Sequence, residues 1–251
     1  MNILNFHFWN PWIGLLSGMF GDWNGTQNLL PYPYSGFSEN NWYMSAQINY
    51  DDPSHLTNRN GTAVFIATPS NKFSYLGYSY ASAAMTTKTA LLPATGGYVQ
   101  WNAKMPDSRT GAWGGMWMIS ADNSAEFDLQ ESGYVLGNTN PNQVLATNWH
   151  SGWPYQIVQD TGMDLSANYH TYGVEYIPGQ SFTVYLDGVQ MYQTTDSVPT
   201  IGWELITDLE VAGPLASGVH TVVDPNNPGT FEMDVKGIQY YTLQQMSTRY
   251  P

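Results

Sequence analysis

Three acids in one short run, Glu126, Asp128 and Glu131 of Ala125-Glu-Phe-Asp-Leu-Gln-Glu131, are spaced to do chemistry. Along a β-strand successive side chains point to opposite faces, so Glu126 and Asp128 share one face while Phe127 and Leu129 share the other. The two apolar residues supply the buried side, which sends the acids toward an outer surface or a cleft. Glu131 falls on the wrong face of a regular strand. One extra residue, taken up as a β-bulge near Leu129-Gln130, returns it to the face of Glu126. Like charges on one strip are costly unless something uses them. Two carboxyls about 5–5.5 Å apart, one a nucleophile and one a proton donor, are what glycoside cleavage with retention requires. Mutual repulsion and an aromatic floor would raise the pKa of one of them, as an acid catalyst near neutrality needs. A solvated acidic strand and a cation site remain the alternatives at this point.

The elements that must hold these acids read as strands. Phe182 to Tyr192 is two alternating runs joined by Asp187-Gly188, a two-residue hairpin signal. Thr62 to Thr68, Gly97 to Lys104, Trp113 to Ile119, Glu126 to Gln130, His170 to Tyr176 and Glu232 to Tyr241 alternate in the same way. Turn clusters such as Asn138-Thr-Asn-Pro and Asp224-Pro-Asn-Asn-Pro-Gly separate them. The fold class expected is all-β, a jelly-roll sandwich of two antiparallel sheets with a concave cleft. No internal repeat or linker divides the chain, so residues 1–251 read as one domain. Residues 1–40, rich in Trp, Asn, Gly and Pro, read as an irregular segment packed on the sandwich.

Composition narrows the partners. The chain has 251 residues, no cysteine, and 7 Lys plus Arg against 20 Asp plus Glu, for a net charge of −13. So few cations argue against a nucleic-acid groove, which needs clustered Lys and Arg. The absence of Cys removes disulfides, thiol nucleophiles and Cys-ligated zinc. The apolar stretch near Phe6 to Phe20 is too short and broken for a membrane span, and it makes a poor secretory signal. Aromatics reach 15%, and tryptophan rings suit the C–H faces of sugars. Trp113 and Trp117 fall on one strand face, lining a cleft or packing between sheets. Trp149, His150 and Trp153, in a turn-rich stretch, read as a cleft rim, with His150 able to donate to a sugar hydroxyl. His170 reads as structural, and the five histidines show no metal-ligand spacing.

Glu126-Phe-Asp-Leu-Gln-Glu131 resembles the E-x-D-x-x-E signature of glycoside hydrolase family 16, the laminarinase and agarase group. Gly97-Tyr-Val-Gln-Trp-Asn-Ala-Lys-Met-Pro106 and Gly111-Ala-Trp-Gly-Gly-Met-Trp-Met118 resemble strands that precede the signature in that family. Tyr169-His-Thr-Tyr-Gly-Val-Glu-Tyr176 and Met233-Asp-Val-Lys-Gly-Ile-Gln-Tyr240 are similar to strands that follow it. Gln100 and Asn102 stand where the family has Glu and Arg, and Asp122-Asn-Ser-Ala replaces its Trp-Pro lead-in. The resemblance implies a retaining endo-glycosidase with Glu126 as nucleophile, Asp128 as its hydrogen-bonded partner and Glu131 as general acid/base. It implies no cofactor for catalysis, and it puts Asp234 at a position that helps hold a structural calcium ion together with backbone carbonyls, a lone solvated Asp on a strand being the alternative. With only Arg59, Arg109 and Arg249 as arginines, neutral β-1,3- or mixed-linkage glucan fits better than a sulfated galactan. Agarose-type galactan is the second substrate, and a non-catalytic lectin-like sandwich the second class. A secreted monomer is expected, with no membrane partner.

Overall fold

A computed structural model describes residues 4–7, 20–22, 48–72, 74–87, 90–131, 141–150, 153–214 and 220–249. In chain order the strands begin with β1 (Leu4–His7), β2 (Phe20–Asp22), β3 (Asn49–Asp51), β4 (Leu56–Arg59), β5 (Thr62–Pro69) and β6 (Tyr80–Ser82). They continue with β7 (Ala84–Thr87), β8 (Gly97–Lys104), β9 (Ala112–Ser120), β10 (Glu126–Glu131), β11 (Gln143–His150) and β12 (Trp153–Asp160). The last are β13 (His170–Ile177), β14 (Ser181–Leu186), β15 (Val189–Thr194), β16 (Trp203–Val211) and β17 (Phe231–Tyr241), followed by helix α1 (Leu243–Arg249). Apart from β1 and β2, residues 1–40 lie outside the described residues. No described helix is long and apolar enough to cross a membrane.

The strands form two sheets. The ten-stranded sheet runs β15-β14-β13-β8-β17-β5-β6-β3, with β1 on β17 and β4 on β5. The seven-stranded sheet runs β12-β11-β10-β9-β16-β7-β2. All pairings are antiparallel except β3 with β6. This is the jelly roll expected, and each alternating run of the sequence became a strand. At the β14–β15 turn Asp187 and Gly188 both take positive φ, 50° and 79°. That combination matches the twist of a tight hairpin. Asp187 also accepts from the His170 ring and from the Thr171 amide, so His170 serves the hairpin.

The core lies between the sheets and clamps β10 from behind. Phe127 of β10 stacks on Phe182 of β14 at 4.3 Å. Phe182 in turn meets Trp203 of β16 at 5.3 Å and Tyr176 of β13 at 5.1 Å. Trp101 of β8 donates its indole N–H to the Thr207 hydroxyl at 2.9 Å, joining the two sheets through the core. The pattern of β9 shows the two-sided logic: Met116 and Met118 enter the core while Trp113 and Trp117 point away from it. Truncating Phe127 removes a fully buried ring behind the acids. Phe127→Ala should cost about 3–5 kcal/mol of stability, measured by chemical denaturation.

Candidate active site

Register places the acids. Strand β10 lies between β9 and β11, with Glu126 opposite Ile119 and Trp149, and Asp128 opposite Trp117 and Thr147. The pairing with β9 then shifts between Asp128 and Gln130, so that Glu131 sits opposite Gly115. Leu129 is the extra residue of a β-bulge. Its side chain stays in the core, and the parity change sends Glu131 to the face of Glu126 and Asp128. Gln130, now off the regular alternation, donates to the Gln143 carbonyl and accepts from the Leu145 amide, locking the bulge to β11.

The three carboxyls are nearly enclosed: Glu126 and Glu131 are 7% exposed and Asp128 4%. Among the described residues no ion pair reaches them. Burial raises the Glu126 pKa to about 8, assisted by the charges of Glu131 and Asp208. Burial also pushes Asp128 and Glu131 well above the usual carboxylate range, with Glu126 repelling the first and Asp128 the second. Against this, the Trp149 indole N–H donates to Asp128 Oδ2 at 2.9 Å and favours its ionised form. Glu131 Oε2 is buried with no hydrogen-bond partner among the described residues. Acids this close, desolvated and without cations, cannot all ionise together, so the strip retains protons through neutral pH.

The site is larger than the sequence suggested. Strand β16 pairs with β9 and brings Asp208 level with Gly115, and Glu210 level with Trp113. Asp208 accepts from the Trp117 indole N–H at 2.7 Å. Burial pushes its pKa up to about 6, while the Trp117 and Gly115 N–H groups hold it down. Glu210 is pushed well above its ordinary value by burial and then by Asp208 and Asp51. Asp51 itself is raised to about 7, again by burial first and Asp208 second. The signal was present in Glu204-Leu-Ile-Thr-Asp208-Leu-Glu210, where acids alternate with Leu205 and Leu209. Only the pairing of β16 with β9 reveals that these acids join the strip.

The other predicted residues divide. Trp117 and Trp149 stand beside the acids. Trp113 shares the sheet face of the acids, but it is only 3% exposed and the His220 ring stacks on it at 4.0 Å. Trp149 and His150 end β11 and Trp153 begins β12, two strands that pair antiparallel; the His150 and Trp153 side chains lie outside the described residues. Gln100 and Asn102 fall on the ten-stranded sheet, where Gln100 donates to Gln239 at 2.7 Å. Asp234 accepts from the Tyr169 hydroxyl at 2.8 Å, with Arg59 close enough to feel its charge. The other carboxylate oxygen, Oδ1, is buried with no hydrogen-bond partner among the described residues. Among the described residues, no three or more acids and histidines are grouped to hold a metal.

A jelly roll with a strip of buried carboxyls on one sheet face, two of them held by tryptophan N–H groups, has the parts of a sandwich-type glycosidase. The chain belongs to glycosyl hydrolases family 16, whose model matches residues 43–205. No curated protein matches it in sequence. Among solved structures it is similar to the laminarinase catalytic domain from Thermotoga maritima MSB8, with 19% identity, a TM-score of 0.72, and coverage of 96% of this chain and 98% of that one. The Bacillus licheniformis beta-glucanase gives 14% identity and a TM-score of 0.71 over 96% of this chain and 99% of that chain. A Bacteroides ovatus family 16 enzyme of a mixed-linkage glucan locus, in complex with a G4G4G3G product, gives 15% identity and 0.62 over 77% and 88%. At these identities the likeness is one of fold.

The raised acids set the direction of pH dependence. Glu126 moves from 4.5 to about 8, Asp51 from 3.8 to about 7 and Asp208 from 3.8 to about 6. The folded state therefore binds more protons than the unfolded chain between roughly pH 4 and pH 8. Their contribution is greatest at the acid end and is lost as pH rises through the folded-state values. Urea midpoints should fall from pH 5 to pH 8, and Glu126→Gln should flatten that slope.

Proposed function

We propose that this chain is a retaining endo-β-glycosidase acting on a neutral β-glucan, with β-1,3- or mixed-linkage glucan as its substrate. The observation that carries the reading is the bulge at Leu129, which sets Glu131 on the face of Glu126 with Asp128 between them. A lectin-like sandwich has no use for that arrangement. In the reacting state Glu126 has lost its proton while Glu131 keeps its own: the Glu126 carboxylate attacks the anomeric carbon and the Glu131 hydroxyl gives its proton to the glycosidic oxygen. The C–O bond breaks, the leaving sugar departs as an alcohol, and a glycosyl ester forms on Glu126. The Glu131 carboxylate then takes a proton from water, whose oxygen attacks the same carbon and frees Glu126. Two inversions give net retention. Asp128, held by Trp149, retains a proton that it can donate to Glu126, steadying the nucleophile's charge before attack and after release.

Neutral substrate is supported by where the cations lie. Arg59 pairs with Glu232, and Arg109 pairs with Asp107 and Asp164. None of the ion pairs among the described residues reaches the acid strip, whereas a sulfated galactan calls for cations beside it. A neutral cell-wall or storage glucan is met outside the cell, so an extracellular site of action goes with this reading.

Laminarin and lichenan should be cleaved internally, with products that keep the β configuration when their anomers are read early by NMR. Glu126→Gln and Glu131→Gln should each lose at least about 10³-fold in kcat/KM. Azide should rescue Glu126→Ala with an α-glycosyl azide and Glu131→Ala with a β-glycosyl azide. A folded wild-type protein inert on laminarin, lichenan and agarose would overturn the reading.

A further inference from the structure

We infer that Asp208 is a positioning residue for proton transfer, a fourth carboxyl set over Gly115 whose charge keeps the proton on Glu131. The inference rests on the assignment of Glu131 as acid/base.

The geometry is a row across three strands. Glu131 of β10 is level with Gly115 of β9, and Gly115 is level with Asp208 of β16. Gly115 presents no side chain, and the Asp208 carboxylate occupies that space: a Cβ at position 115 would collide with Asp208 Oδ1. The carboxylate is tied down there by the Trp117 indole N–H at 2.7 Å and by the Gly115 amide. It therefore leans across the glycine toward Glu131. The groups that face it are all acids or neutral donors. Glu126, Asp128 and Glu131 come from β10, Glu210 from its own strand, Asp51 from β3, and Trp117 from β9. Among the described residues none of the ion pairs includes Asp208.

Two N–H donors make Asp208 the easier acid to ionise. Burial raises it only to about 6, whereas burial, then Asp128, then Asp208 hold Glu131 well above the carboxylate range despite the lowering effect of the Thr147 side chain. As pH rises Asp208 loses its proton first, and its charge then opposes ionisation of Glu131. The acid catalyst keeps its proton to higher pH than burial alone would allow.

Asp208→Asn isolates the charge, because the amide oxygen can still accept from Trp117. The alkaline limb of kcat/KM on laminarin should move to lower pH by at least about half a unit. Carboxyl titration of carbon-13 glutamate by NMR, with Glu131 assigned through Glu131→Gln, should show a lower Glu131 midpoint in Asp208→Asn. Asp208→Ser should shift both readouts in the same direction. An unchanged midpoint and limb overturn the inference, as does an equal loss of rate at every pH with the limbs unmoved, which would mark a purely structural role. Should no glucan be cleaved, the proposed function fails, while the titration still decides what Asp208 does.

Discussion

Like charge confined out of water is the constraint around which this molecule is organised. Asp51, Glu126, Asp128, Glu131, Asp208 and Glu210 are all desolvated on or beside one sheet face, with no cation paired to them among the described residues. Such a group is tolerable only if protons are shared within it and neutral donors hold the charges that remain. Trp149 and Trp117 supply two of those donors. Their role in the site is electrostatic as well as that of apolar walls, which a count of aromatic residues would not show.

The rest of the fold keeps this arrangement from relaxing. Repelling side chains on a flexible strand would swing apart into solvent. Strand β10 instead has paired neighbours on both sides, an aromatic stack behind it, and a glutamine fastening its irregular turn. The stack reaches from β10 through Phe182 to β13 and β16, so it ties the carboxyl face of one sheet to the interior of the other. Packing thereby opposes electrostatic repulsion, and a site with perturbed ionisation can persist.

What the sequence disclosed and what it concealed follow from one distinction. Alternation within a strand is local, so Thr62 to Thr68, Gly97 to Lys104 and the Asp187-Gly188 hairpin could be read directly. Even the bulge was legible, because the spacing from Glu126 to Glu131 has the wrong parity for a regular strand. Register between distant strands is not local. Nothing near Asp208 in the chain says that it lies level with Glu131, and nothing near Trp113 says that His220 will cover it. The hairpin carrying Trp149 was hidden for another reason: Asn, Gly and Pro around it mimic loop composition, and cross-strand pairing overrides that signal.

The bulge also bears on how such a site can vary. An extra residue at Leu129 changes the spelling of the motif without changing the face that its acids occupy. Excision of Leu129 would leave Glu126, Asp128 and the last glutamate in unbroken alternation, still on one side of the sheet. Excision of Phe127 instead would leave Glu126 and Asp128 on opposite sides. The strand thus has one position at which its length can drift by a codon while the three acids stay together, and that position is marked by an irregularity in the hydrogen-bond ladder.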